Sequence, residues 1–111
     1  MRKIAANYIF LPEHKLVKNG YVKLETTHKV QIIDTGGKIK DEAGLEFYGG
    51  MLVPDYVCQF QFLFKRGEKM IPVLEQIFAA HQQDYAKLAI IEGADLNHLE
   101  WTEKAVIRIL R

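Results

Sequence analysis

The first part of the chain alternates its side chains with a period of two, which is the repeat of a β-strand. One such run covers residues 3–10, and another follows the pair Asn19-Gly20 over residues 21–24. Asn-Gly is the strongest short signal for a two-residue hairpin turn, because both residues tolerate a positive φ. The pattern therefore predicts a β-hairpin whose turn is Asn19-Gly20.

Two further polar turns, at residues 26–29 and 35–37, enclose the apolar run 30–34 and extend the hairpin into an antiparallel meander. After a polar connection, two short strands are expected, one on each side of Gly49-Gly50. The β-branched and aromatic residues 57–64 predict one more strand.

Further along the chain the period changes to three and four, which is typical of an amphipathic helix, here over residues 68–82. Its apolar positions are Met70, Ile71, Val73, Leu74, Ile77 and Phe78. Asp84 is a candidate N-cap of a second, shorter helix that ends at Gly93. A final strand is expected over residues 104–110, with a short one around Trp101.

These elements predict an α+β fold, a small and mostly antiparallel β-sandwich of about six to eight strands with a C-terminal helical pair packed on it. The 111 residues, 49% of them hydrophobic, suffice for one domain with a core but not for two. We expect a single domain over residues 1–111. It consists of an N-terminal meander (1–64), a helical segment (68–92) and a closing strand region (95–111).

Charge and composition exclude several classes of partner. A net charge of +1, from fifteen basic and fourteen acidic residues, gives no field that would attract nucleic acid or anionic lipid. No apolar run reaches the ~18 residues that span a membrane, and no secretory signal is visible. The single cysteine, Cys58, cannot form an internal disulfide and is typical of a reducing compartment. We therefore expect a cytoplasmic protein.

Several segments resemble the amidohydrolase superfamily of metal-dependent hydrolases. In the strongest of them, residues 45–57, a glycine turn and an apolar strand lead to Pro54, Tyr56 and Val57. Residues 4–10 and 17–22 resemble the family's N-terminal strands, and residues 79–88 loosely resemble its C-terminal helical piece. In that family both ends of the chain form a small β-sandwich, and a catalytic barrel is inserted between them. The resemblance implies that this chain is the accessory sandwich alone.

The resemblance also implies that the metal ligands are missing. Phe60 and Phe62 stand where the family has a His-x-His pair, and a phenyl ring has no lone pair to offer a zinc ion at ~2.0–2.2 Å. A catalytic barrel alone needs roughly 250 residues, so it cannot be present, and its former position lies between residues 62 and 72. We therefore expect no catalytic residue, no metal site and no cofactor.

The other candidate chemical groups are isolated from one another. The four histidines are His14, His28, His81 and His98. None of their spacings brings two imidazoles to one ion, so surface positions are expected. Cys58 has no base or positive charge beside it in sequence, and a packing role is expected for it.

Phe60, Phe62 and Phe64 alternate along the predicted strand 57–64, which places their rings on one face. The helical residues expected to pack against this face are Ile71, Leu74 and Phe78. Two roles are open, because the face either completes the core or forms a partner contact where the barrel is missing. Both roles hold if the helix covers one part and a second copy covers the rest.

The expected function is that of a non-catalytic, amidohydrolase-like domain acting through protein association, in the first place as a homodimer. Association with an intact amidohydrolase, as its accessory subunit, is an alternative, and so is residual hydrolase activity at a different site. A further alternative is a small-ligand binding module whose pocket, between helix and sheet, is lined by Tyr48, Tyr56, Trp101 and the phenylalanines. A deep cavity with a few converging polar groups would favour that ligand-binding alternative.

Overall fold

The structure is a computed structural model that describes residues 2–24, 30–33, 44–82, 84–85 and 87–110. Within these residues the chain has the α+β fold predicted from the sequence, with a mostly antiparallel sheet and two helical elements. In chain order the elements are β1 (Arg2–Ile9), β2 (Val17–Lys18), β3 (Tyr21–Leu24), β4 (Val30–Ile33), β5 (Leu45–Pro54), a 3₁₀ helix (Asp55–Leu63), α1 (Met70–Ala80), β6 (Leu88–Glu92) and β7 (Val106–Ile109).

The seven described strands form one continuous sheet in the order β4-β3-β1-β5-β6-β7, with β2 beside β1. The central pair, β1 with β5, is parallel, and the other pairs are antiparallel. The strands expected in two facing sheets therefore belong to one sheet, and that sheet buries a hydrophobic cluster on each of its faces.

Successive side chains of the central strands point to opposite faces and so join different clusters. On the first face, Met51 and Val53 of β5 pack with Leu74 and Ile77 of α1 and with Val57 of the 3₁₀ helix. The second cluster is formed by strands and their flanking segments, and neither described helix contributes to it; its fully buried members are Ile4, Ala6, Ile9, Leu11, Val22, Leu52, Leu88 and Ile90. Both helical elements therefore lie on one face of the sheet.

The hairpin turn predicted at Asn19-Gly20 is wrong. β2 and β3 pair with β1 in the same antiparallel register, so Asn19 and Gly20 interrupt one strand instead of connecting two. Asn19 has a left-handed φ of 56°, and its N–H donates to the carbonyl of Asn7 at 2.8 Å. A Cβ on Gly20 would lie 2.8 Å from the carbonyl oxygen of Ile33, so only glycine lets β4 approach here. The chain reverses in residues 10–16 instead.

The two short strands expected around Gly49-Gly50 are one strand, β5. Between Ala6 and Tyr8, two steps along β1 match three steps along β5, which is a β-bulge. Asn7 holds this bulge, because its side-chain oxygen accepts a hydrogen bond of 2.9 Å from the N–H of Gly50. Before the bulge the even-numbered Ile4 and Ala6 face the second cluster, whereas after it the even-numbered Tyr8 and Phe10 face the first. The bulge thus directs Phe10 towards α1.

The strand predicted over residues 57–64 is also wrong, because Asp55–Leu63 is a 3₁₀ helix that is kinked at Phe60. Pro54 ends β5, and the residues that then belong to the first cluster are Tyr56, Val57 and Phe64, with Cys58 and Phe60 packed against it. These positions do not follow the period of two that a strand with one buried face would show. Phe60, Phe62 and Phe64 therefore alternate in the sequence without lying on one face of a strand.

The first predicted helix is confirmed as α1, which has Pro72 in its first turn, where a missing N–H costs little. The second predicted helix is wrong, because residues 88–92 form β6, a strand buried on both faces. The helical segment predicted over residues 68–92 thus ends at Ala80.

The predicted final strand is confirmed as β7, while the short strand expected around Trp101 is reduced to isolated bridges of Glu100 with Lys69 and Asp95. Of the N-terminal meander predicted over residues 1–64, the antiparallel pairs of β1 with β3 and of β3 with β4 are present, whereas β5 pairs parallel with β1 and the 3₁₀ helix follows it. The turns predicted at residues 26–29 and 35–37 lie outside the described residues.

Candidate functional site

The three phenylalanines predicted on one strand face, and the three helical residues expected to pack against them, do not form one surface. Leu74 is fully buried and Phe64 is 6% exposed, so both are core residues. Three residues are half-buried and pack against the first cluster; they are Phe60, Ile71 and Phe78. Phe62, in contrast, is 74% exposed. Five of these six residues therefore contribute to the first cluster or pack against it, and Phe62 faces solvent.

Phe64 is held by Trp101, whose ring stacks on it with 4.8 Å between centroids. Backbone hydrogen bonds fix the position of Trp101: its N–H donates to the carbonyl of Glu68 at 2.9 Å, and its carbonyl accepts from the N–H of Gly67 at 2.8 Å. This contact closes the first cluster at the end of the 3₁₀ helix. Phe64 and Trp101 are thus structural residues.

Phe60, Phe62 and Leu63 form what we call the phenylalanine surface. The rings of Phe60 and Phe62 lie 6.4 Å apart, and Phe60 stacks on His81 with 4.1 Å between centroids. Leu63, beside Phe62, is 38% exposed. The 3₁₀ helix that carries these residues packs against β7, which has two exposed apolar side chains of its own, Val106 and Ile109. Exposed apolar side chains thus occur on two elements in contact.

A second feature is an open groove, with a volume of about 1260 Å³, between α1 and the segment that follows β1. One wall is a chain of four aromatic rings. Phe10 lies 5.2 Å from Phe78, Phe78 lies 6.4 Å from Tyr56, and Tyr56 lies 6.3 Å from Tyr85, measured between centroids. We call this feature the aromatic groove.

The charged side chains that line the aromatic groove are acidic. Glu13, Glu75 and Asp84 contribute carboxylates, and the basic residue among the lining ones is His14. Glu75 precedes Phe78 by three residues in α1, so the two side chains lie on the same face of the helix. Glu13 adopts a left-handed φ of 66° in the reversal after β1.

The two tyrosines of the groove are partly removed from water. Burial raises the pKa of Tyr56, and the negative charge of Asp55 raises it further. For Tyr85, burial comes first, followed by the repulsion of a phenolate by Tyr56, Asp55 and Glu13, and together these effects raise its pKa to about 12. Both hydroxyls therefore stay protonated at neutral pH, and both lie in an electrostatically negative environment.

The raised pKa of Tyr85 leads us to expect that the folded protein loses stability in strong alkali. Because its folded-state pKa lies above the usual value of 10.0, the folded chain keeps this proton between about pH 10 and 12, where the unfolded chain loses it. The free energy of unfolding is therefore expected to fall as the pH rises through this interval. Denaturant titrations at a series of pH values should show a smaller fall for Tyr85→Phe. An equal fall in both proteins would contradict the assignment.

The candidate chemical groups named from the sequence stay apart from one another. His98 pairs with Asp95 at 2.9 Å, His81 stacks on Phe60, His14 lines the groove, and His28 lies outside the described residues. Burial, and then the charge of Asp55, raises the pKa of the half-buried Cys58 thiol, which disfavours the nucleophilic thiolate. Among the described residues, no group of three or more His, Cys, Asp or Glu side chains is placed to hold a metal ion.

The residues expected to line a ligand pocket do not lie together. Tyr56 and Phe78 do line the aromatic groove, whereas Tyr48 packs at the edge of the second cluster and Trp101 stacks elsewhere. Sequence reasoning missed the other groove residues, namely Phe10, Glu13, Glu75, Asp84 and Tyr85. The helical spacing of Glu75 and Phe78 was an available signal, but nothing in the sequence links α1 to the segment after β1.

Comparison with protein-family models, with curated proteins and with solved structures gives no match to this chain. The amidohydrolase relationship therefore stays a prediction from the sequence. Of the helices in the described part of the chain, none is long and apolar enough to cross a membrane.

Proposed function

We propose that this chain is a non-catalytic domain that acts through self-association, with the phenylalanine surface as the centre of a homodimer contact. The observation that carries this proposal is the 74% exposure of Phe62 on a helical turn that is itself packed on the sheet. An aromatic side chain buries 150–250 Å² when it is covered, with a corresponding gain in free energy. Phe62 is therefore a candidate anchor of an interface.

The position of β7 supports a contact that extends beyond one side chain. β7 lies at one end of the described sheet, and the 3₁₀ helix packs against it. Ile109 is 43% exposed on the face of β7 that also carries Ile107 of the first cluster, so apolar area is present on both elements; Val106, 49% exposed, points to the opposite face. A terminal strand also offers backbone groups that a further strand can pair with.

A second copy is the partner that this surface fits best. In a two-fold dimer the same patch serves both chains, and each Phe62 can pack against the aromatic residues of the other copy. Two β7 strands related by a two-fold axis run antiparallel, which is the arrangement that pairs two identical edges. The net charge of +1 per chain gives little repulsion between copies.

The proposal that the domain is non-catalytic rests on Phe60 and Phe62, which have no lone pairs for a metal ion. An origin from the accessory sandwich of an amidohydrolase, and an intact amidohydrolase as a different partner for the same surface, belong to this proposal as well. So does a cytoplasmic location, which the unpaired thiol of Cys58 supports.

Phe62→Glu is expected to convert the dimer into a monomer. A buried glutamate would lose its hydration without a partner, so the dissociation constant should rise at least tenfold, or about 1.4 kcal/mol. Light scattering coupled to size-exclusion chromatography at micromolar concentration measures this change, because the wild-type mass should be twice the 12.8 kDa of one chain. The fold of the variant should be unchanged, since Phe62 contributes little to either core.

Phe47→Glu is the matched control. Phe47 is 58% exposed on β5, at the opposite end of that strand from the 3₁₀ helix, so its replacement should leave the dimer intact. A wild-type mass equal to one chain, or an equal effect of both substitutions, would contradict the proposal.

A further inference from the structure

We propose that the aromatic groove binds a small quaternary ammonium ligand. The site is separate from the phenylalanine surface, and the proposal does not depend on self-association. It rests on three observations that point to the same ligand chemistry: a wall of aromatic rings, an excess of carboxylates, and a tyrosine that lines the groove beside them.

The aromatic wall supplies the attraction that distinguishes an organic cation from other ligands. Phe10, Phe78, Tyr56 and Tyr85 form a continuous chain in which neighbouring centroids are 5.2 to 6.4 Å apart. Phe10 and Tyr56 are buried, whereas Phe78 and Tyr85 are half-buried and are the rings that a ligand in the groove can reach. A cation near the face of an aromatic ring is attracted by the ring's quadrupole, and quaternary ammonium ions are the usual ligands of such walls.

The carboxylates decide the sign of the ligand's charge. Glu13, Glu75 and Asp84 line the groove, and after burial and Tyr56 the negative charges of Asp55 and Glu13 add to the raised pKa of Tyr85. The basic residue that lines the groove, His14, does not balance them. An anionic ligand would be repelled, while a cation would be concentrated in the groove.

The hydroxyl group of Tyr56 supplies a polar contact. Tyr56 lines the groove, and its ring belongs to the aromatic wall. A ligand that carries a hydroxyl or similar group can form a hydrogen bond with its phenolic oxygen. The tyrosine is thus placed to orient the polar end of a ligand whose cationic end contacts the rings.

An inorganic metal ion fits the groove poorly. Metal ions need several converging oxygen or nitrogen ligands at short distance, and the described residues offer no such group of His, Cys, Asp or Glu side chains. The carboxylates here are spread around an aromatic wall instead. A large, weakly hydrated cation with an apolar surface matches this arrangement.

Choline tests the proposal, because its uncharged carbon analogue, in which carbon replaces nitrogen, has nearly the same shape. Backbone amide shifts of the full chain should move in a saturable way with choline, at residues 10–14 and 75–82. The analogue, or sodium chloride at equal ionic strength, should move them at least about fivefold less, as expected when the attraction depends on charge.

Glu75→Gln should weaken choline binding about fivefold, since it removes one carboxylate and little volume. Tyr56→Phe should weaken it about threefold, since it keeps the ring but removes the hydroxyl. Glu68→Gln is the matched control, because Glu68 is exposed beyond the other end of α1 and should not alter binding. Circular dichroism verifies that each variant is folded.

Equal shifts with choline and its analogue would overturn the proposal, as would an equal effect of the Glu75 and Glu68 substitutions. Shifts that do not saturate would also overturn it. Phe62→Glu should bind choline with the wild-type affinity, so a failure of self-association and a failure of cation binding give different results.

Discussion

Gly50→Ala is expected to cost about 3 kcal/mol or more of the free energy of unfolding, a large fraction of the roughly 5–15 kcal/mol of a typical domain. Gly50 lies in β5, at the bulge beside β1, and a Cβ at this position would lie only 2.2 Å from the carbonyl oxygen of Ile91 on β6. The obstacle is backbone in the middle of the sheet, so it cannot turn aside as a side-chain end could. Relief requires that β5 and β6 separate, with loss of the hydrogen bonds and apolar contacts between them.

Urea denaturation followed by circular dichroism measures this effect, and the neighbouring glycine provides the control. Gly49 is exposed, and the nearest atom to a Cβ there is the side-chain oxygen of Asn7, at 3.9 Å. Gly49→Ala should therefore change the free energy of unfolding by less than about 1 kcal/mol. Equal stabilities of the two variants would show that the close approach of β6 to Gly50 is not a feature of the folded protein.

Leu74→Ala is expected to cost about 2–5 kcal/mol. Leu74 is fully buried between α1 and the sheet, where it packs with the first cluster, and its removal leaves a cavity that rigid neighbours cannot fill. Because α1 also provides Glu75 and Phe78, the substitution should loosen the wall of the aromatic groove as well. Thermal and urea unfolding measure the first effect, and hydrogen exchange of the α1 amides measures the second.

Ile71→Ala is the comparison that makes this result informative. Both residues were expected to pack against the same phenylalanine face, but Ile71 is only half-buried, and its loss should cost about 1 kcal/mol. If Ile71→Ala were as destabilising as Leu74→Ala, α1 would be turned on the sheet differently from the arrangement described. A small effect of both substitutions would mean that α1 contributes little to the core.

Elements whose hydrophobic period is long and agrees with their surroundings could be predicted from the sequence. β1, the pairs among β1, β3 and β4, α1 and β7 belong to this group. In each of them the apolar positions follow the period of the element over most of its length. Local pattern and tertiary packing favour the same structure in these elements, so the sequence suffices.

The wrong predictions fall where tertiary contacts override a local signal. Asn19-Gly20 has the best turn chemistry in the chain, but β1 is long enough to pair with residues on both sides of it. Asp84 and the residues after it suit a helix, yet the apolar run of β6 fills the position between β5 and β7. A short buried run fits a strand and a helix equally well, and only the sheet decides between them.

The candidate sites show the same limit. The sequence predicted that Phe60, Phe62 and Phe64 form a core face or a partner contact. Which of them is buried and which is exposed depends on the 3₁₀ helix that follows Pro54. The aromatic groove joins the segment after β1, the start of the 3₁₀ helix and the end of α1, which are distant in sequence. Without knowledge of the parallel pair β1–β5 and its bulge, nothing places Phe10 beside Phe78.

The sheet order has a consequence for how the chain could be divided. The boundary between β1 and β5 divides the described sheet into two halves. One half consists of β1 to β4 and the other of β5 to β7, so each half is contiguous in sequence. The later half includes both helical elements and most of the first cluster, while the earlier half has no helix among its described residues. A cut between β4 and β5 would therefore yield one fragment with most of the first cluster and one with more than half of the buried residues of the second cluster, with backbone pairing along β1 and β5. That is the geometry of a split protein whose reassembly reports that its two pieces have met.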